Sequence, residues 1–254
     1  MSVFCYDNVI TRETTNVSIY SGDENPSYPL SNIQHIHLTK VYRGLDGSQT
    51  IRILIDAGEP VNCDYFMIRT AGAFDIDSLN IKGNIANDWG AAPFSKDITT
   101  LNSTYGFGYK SFGSTQTYRF WLLEVRTLGT YVELANIFLG PRASELDNQE
   151  FNQGWTHVNV DTSTVQVSEQ GQRYIHELPD IARIQASMSL MDETETAALD
   201  AIYEYCGVRR PFWLIPTIDN SIKYANQYFF EARPVWTQDR YRLHSTTISL
   251  TEAK

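Results

Sequence analysis

From Gln49 to Thr70 the chain reads QTIRILIDAGEPVNCDYFMIRT. Ile51, Ile53 and Ile55 alternate with Arg52, Leu54 and Asp56, the period of two expected of a strand with one buried face. Gly58 and Pro60 stop that run, and Val61 to Ile68 starts a second with bulky residues on both faces. Further strands are predicted at 16–20, 78–83, 117–126 and 132–139. No strong helical pattern lies among them, so the first half reads as a β-sandwich and not as a parallel α/β sheet. Residues 84–116, rich in Gly, Ser, Asn and aromatics, read as loop with room for one weak strand.

The pattern changes after Leu139. Residues 140–149, GPRASELDNQ, combine turn formers and charge with little apolar content and read as an interdomain linker. Strands are then predicted at 155–160, 164–168, 181–190, 211–215, 224–232 and 241–250. In 181–190, Ala182, Ile184, Ala186, Met188 and Leu190 alternate with Arg183, Gln185, Ser187 and Ser189. One helix is predicted, over about 193–206. Asp192 with Glu195 three residues on forms a capping box, Ala198, Leu199, Ile202, Tyr203 and Cys206 recur at helical spacing, and Gly207 stops it. The resulting division is 1–140 (core about 25–140), a linker at 141–150, and a β-rich α+β domain at 151–254.

Charge narrows the partners. The net charge of −10 disfavours nucleic acid and anionic lipid. No segment approaches the ~20 apolar residues of a membrane span, and the first residues lack the pattern of a signal peptide. The three cysteines, Cys5, Cys63 and Cys206, are odd in number and lack metal spacing, which fits folding in a reducing compartment, and Cys63 and Cys206 read as small core residues.

Catalytic motifs are missing: there is no Gly-x-Ser-x-Gly, His-Glu-x-x-His, Cys-x-x-Cys or phosphate loop. The expectation is a non-enzyme without cofactor or metal. His35 with His37, and Asp75 with Asp77, each place two metal-type ligands on one strand face but lack the further ligands that a site needs. The segment 105–112, YGFGYKSF, sets Tyr105, Phe107, Tyr109 and Phe112 among glycines, and Trp89 precedes it in the same excursion. Adaptable backbone beside large aromatic area suits a contact surface, so these five residues are the candidate ligand or partner contacts.

The first half resembles the discoidin-like (galactose-binding-like) jelly roll. Tyr28-Pro-Leu-Ser-Asn32 matches its opening loop, Thr50 to Gly58 and Val61 to Ile68 match a strand pair, and Leu79-Asn-Ile-Lys-Gly83 with Trp89 follows. Tyr118 to Val125 and Glu133 to Phe138 match the closing strands. Tyr42 stands where the family often has a tryptophan. The second half is similar to domains of tailed-phage distal tail and minor tail-tip proteins. That similarity rests on Phe151-Asn-Gln-Gly-Trp155, the lone capped helix, Arg210-Pro-Phe-Trp-Leu-Ile-Pro216 and the strand from Tyr241. It implies a structural virion component at a tail tip, assembled in the host cytoplasm. Such a protein forms a ring, commonly hexameric, of copies of itself between tail tube and hub or fibres. The jelly roll alone implies the alternative, a glycan-binding adhesion module at a host surface.

Overall fold

The two runs predicted around Gly58 form one strand. In the computed structural model, which describes residues 2–253 apart from 36–39, 46–49, 71–75, 99, 103–105, 130, 147–148, 153, 169–171, 178–179 and 217–223, strand continues from Thr50 to Arg69. Gly58 adopts φ +82 and its N–H is taken by Asp56 Oδ1 at 2.9 Å. The pairing register shifts between Asp56 and Val61, so Gly58 and Pro60 sit in a bulge. A bulge needs no ladder N–H from proline, which is why the chain passes through.

The first part of the chain contains β1 (Val3–Cys5), β2 (Asn16–Ser21), β3 (Tyr42–Arg43), β4 (Thr50–Arg69), β5 (Ile76–Asn84) and β6 (Phe94–Asp97). It continues with β7 (Thr100–Asn102), β8 (Phe107–Thr127), β9 (Glu133–Leu134) and β10 (Asn136–Gly140). The expectation that 84–116 is mainly loop is corrected here: β6, β7 and the first half of β8 occupy it. Glycine lowers strand propensity, but long antiparallel pairing with β4 overrides it.

β4 and β8 are antiparallel and both bulged, so each contributes to two layers. The early half of β4 pairs with β2 and the late half with β10, while β5 and β7 flank the two halves of β8. Ile51, Ile53 and Ile55 from one layer and Cys63, Phe66, Ile68, Ile137 and Leu139 from the other close on one core. The β3–β9 ribbon brings fully buried Tyr42 and Leu134 to it. This is the β-sandwich expected.

The second sheet is built from β11 (Thr156–Val160), β14 (Ile181–Met191), β15 (Phe212–Ile215), β16 (Asn226–Phe230), β17 (Thr237–Arg240) and β18 (Leu243–Glu252). β12 (Thr164–Val167) and β13 (Arg173–His176) form a separate hairpin. The order is β1-β15-β16-β18-β14-β11, with β17 on β18. α1 (Glu193–Cys206) has the predicted bounds and a complete capping box, and buries Leu199, Ile202 and Cys206 against this sheet. A mainly β chain with one α-helix among the described residues is therefore observed, as expected.

Three details differ from expectation. Val3–Cys5, placed with the sandwich, instead pairs with β15 as an edge of the second sheet. The sandwich is thus inserted after the first strand of the sheet that follows it. Residues 141–150, expected as a linker, are packed. Ala143 and Leu146 are buried, the Ala143 N–H donates to Phe4 O at 2.8 Å, and the Arg142 N–H donates to Asp64 Oδ1 at 2.8 Å. Leu190 leaves the buried face at φ 59 and Met191 takes its place, because β14 is bulged between Met188 and Met191.

The late half of β4 explains its bulky residues on both faces. Phe66 and Ile68 face the sandwich core, whereas Tyr65 and Met67 join Phe138, Val3, Cys5, Trp213 and Ile215 in a second apolar cluster. That cluster joins sandwich to sheet. Burial on both faces is what a continuous apolar run signifies.

Candidate functional site

The aromatic segment proposed as a contact surface is largely interior. Phe107 is buried at the junction, with its ring 5.7 Å from Trp213. Phe112 is buried in the sandwich, 4.8 Å from Phe94 and 5.9 Å from Trp121. Neither offers area to a ligand. The reason is strand alternation: β8 begins at Phe107, and its bulky side chains are drawn into the two cores. Tyr109 is half-buried and stacks on Tyr65 at 6.3 Å. Trp89 is partly exposed on the loop after β5, with its indole N–H donating to Asn87 Oδ1 at 2.9 Å. Tyr105, His37 and Asp75 lie outside the described residues. The carbonyl of His35 accepts from Asn136 Nδ2, and Asp77 pairs with Arg126 at 3.3 Å. Among the described residues no group of three metal-ligating side chains occurs.

A cleft of about 510 Å³ lies where sandwich and second sheet meet. One wall is the segment from Tyr6 to Thr14, with Gln34 and Asn136. The other is Tyr205, Arg210, Pro211, Trp213 and Gln227. The first wall is held by Asn8, whose side chain substitutes for a strand. It donates to Ile137 O at 2.8 Å and accepts from the N–H groups of Leu139 at 3.1 Å and Ile10 at 3.2 Å. Gly140 lets this segment cross closely, since a Cβ there would meet Asp7 O at 2.2 Å. Arg12 is tied to Asp7 by two hydrogen bonds, and Gln34 Nε2 donates to Ile10 O at 3.1 Å.

The second wall is set by strand pairing and by the end of α1. Trp213 lies opposite both Cys5 on β1 and Gln227 on β16. Arg210 follows the helix stop, its N–H donating to Cys206 O at 2.9 Å, and its guanidinium lies 5.6 Å above the Tyr205 ring. Tyr205 in turn meets the edge of Tyr6 at 5.4 Å. Burial, and then Asp7, raise the hydroxyl pKa of both tyrosines above the ordinary phenol value, so at neutral pH both are hydrogen-bond donors. Burial likewise pushes the Cys206 thiol up to about 12, which leaves it protonated and unreactive.

Three side-chain atoms on these walls are buried without a hydrogen-bond partner: Asn136 Oδ1, Trp213 Nε1 and Gln227 Oε1. The residues carrying them are 1%, 2% and 4% exposed. An unpaired buried polar group costs about 1–3 kcal/mol, and the residues that carry these three line one cleft. The bond from Asn136 Nδ2 to His35 O fixes the amide orientation and leaves Oδ1 as an acceptor. The residues lining the cleft thus carry two buried acceptors and one buried donor, with two tyrosines beside them.

Sequence reading did not find these residues, because they come from segments far apart in the chain. The one legible signal was polar residues inside apolar runs, Asn136 in ELANIF and Gln227 in ANQYFF.

No protein-family model and no curated protein matches the chain. Solved structures overlap about half of it. A Ruminococcus gnavus GH29 fucosidase in complex with fucose shares 17% identity over 53% of this chain and 26% of its own, with a TM-score of 0.45. Chitosan-binding module 1 of a chitosanase/glucanase from Paenibacillus sp. IK-5 shares 16% over 54% of this chain and 100% of its own, at 0.42. The family 32 carbohydrate-binding module of Clostridium perfringens NanJ, in complex with galactose, shares 12% over 55% and 98%, at 0.43. The chain therefore spans about a quarter of the fucosidase and the whole length of the two small modules. At these scores the overlaps decide nothing about ligand or activity, and the β-sandwich is established by its own strand pairing.

Proposed function

We propose that this protein is a non-catalytic binding protein whose cleft between sandwich and second sheet takes a carbohydrate. The observation that carries the reading is the set of three unpartnered, buried polar atoms on one cleft. Sugar hydroxyls donate and accept at once, which matches the donor that Asn136 Oδ1 and Gln227 Oε1 lack and the acceptor that Trp213 Nε1 lacks. The cleft volume falls in the ordinary range for small-ligand sites, and aromatic with planar polar side chains fix orientation there. Isothermal titration against a panel of neutral and acidic saccharides tests it. Binding that Gln227→Leu abolishes supports the reading, and a flat response across the panel with the folded protein refutes it.

A second reading, an assembly component of a phage tail tip, draws on a different observation. The β12–β13 hairpin exposes Val165 and Val167 at 56% and 61% and Tyr174 at 59%, and Val158 on edge strand β11 is 53% exposed. A two-stranded hairpin is marginal in water by itself, and apolar exposure on it suits burial against another chain. Native mass measurement alone and with tail-tube and hub proteins checks this reading. A monomer that contacts neither rules it out.

A further inference from the structure

We infer that the cleft ligand carries an acidic group beside its hydroxyls, and that Arg210 selects it; this rests on the carbohydrate reading of the same cleft. Three charged side chains line the cleft: Arg12, Glu13 and Arg210. The charge of Arg12 is already answered by Asp7, which it meets with two of its nitrogens. Glu13 is exposed and no ring or backbone group orients it. Arg210 differs from both. Its backbone is fixed at the end of α1 and followed by Pro211, and its guanidinium lies over the Tyr205 ring, which meets Tyr6, with no carboxylate partner among the described residues.

A guanidinium without a carboxylate partner keeps its N–H edge available, and that edge matches a carboxylate or phosphate through two parallel hydrogen bonds. The neutral hydrogen-bonding atoms of Asn136, Trp213 and Gln227 are buried, whereas Arg210 stands exposed at the rim. A ligand that uses both is amphoteric in shape: a hydroxylated ring seated against the walls and an anionic substituent turned to the rim. The chemistry is that of a uronic-acid-type or phosphorylated saccharide.

The test uses matched triplets of saccharides that differ only in the substituent: glucose, glucuronic acid and glucose 6-phosphate, with the galactose triplet beside them. Titrations are followed by calorimetry and by shifts of the Trp213 indole N–H signal. The expected result is that one acidic member binds roughly tenfold or more tightly than its neutral parent, the size of a charge-assisted hydrogen bond. Which member does so separates carboxylate from phosphate. Arg210→Ala is expected to erase that preference, so that neutral and acidic members bind alike, while Arg210→Lys retains part of it. Equal affinity for neutral and acidic members overturns this inference and leaves the carbohydrate reading standing. A preference that survives Arg210→Ala also overturns it. Silence from every saccharide, with the indole signal unmoved, overturns the carbohydrate reading and this inference with it.

Discussion

The aromatic start of β8 and the inter-sheet cleft are two regions with opposite signatures. The first is conspicuous in sequence, four aromatics in eight residues among glycines, and the fold buries Phe107 and Phe112 completely enough to remove them from any surface. The second is faint in sequence, drawn from distant segments that include the N-terminal one, β10, the end of α1 and β15–β16, and its residues carry three buried polar atoms without a hydrogen-bond partner. Aromatic density reports what a chain has available to bury. Unpaired polarity, which only the fold reveals, reports where burial is incomplete without a partner.

That comparison can be broken most forcefully at the aromatic strand. Phe107→Ala and Phe112→Ala are each expected to cost about 3–5 kcal/mol of unfolding free energy, as buried phenylalanines do, read from denaturant midpoints. A loss under about 1 kcal/mol with altered saccharide binding would return these residues to the surface and undo the contrast. Gly140→Ala is the next largest. The Cβ would collide with the Asp7 carbonyl, displacing the first cleft wall, and a loss of about 1–3 kcal/mol together with weakened binding is expected. Unchanged stability would mean that the N-terminal segment does not cross β10 so closely.

Asp192→Ala removes the helix cap, which accepts from the N–H groups of Thr194 and Glu195. It is expected to cost about 1 kcal/mol and leave binding intact, which separates general destabilisation from damage to the cleft. The smallest effect is the acid limb of the sandwich. The hydrogen bond from Arg119 holds the Asp56 carboxyl below its ordinary value of 3.8. A carboxylate pKa lowered by folding stabilises above the unfolded value, and that contribution is lost as pH falls through the folded one. Asp56→Asn should therefore flatten the stability profile below pH 4 by a small amount, since both groups are partly exposed. A profile that is unchanged would show the pair contributing nothing.

Much of the fold was legible because periodicity encodes burial directly. Ile51, Ile53 and Ile55 and the alternation of Ala182, Ile184, Ala186 and Met188 all lie on buried faces, and the capping box set the start of α1 to the residue. The errors have local causes. Gly58 and Pro60 look like a stop, but a bulge accepts both. Val3–Cys5 is too short to announce a strand and finds its partner more than 200 positions away, in β15. The same long-range closure brings Asn8 onto β10 and Trp213 opposite Cys5, so the assembly of the cleft, beyond the polar Asn136 and Gln227 in apolar runs, was hidden for the reason that the first strand was.

The central claim is that Asn136, Trp213 and Gln227 await a hydroxylated ligand, and Gln227→Leu tests it most directly. Removing an unpaired buried oxygen should leave stability unchanged or raise it by up to about 1 kcal/mol. The saccharide that binds the wild-type protein should lose roughly tenfold or more in affinity by calorimetric titration. A variant that is clearly destabilised while binding is retained would contradict the account, because Gln227 Oε1 would then be satisfied within the protein and the cleft would need no ligand.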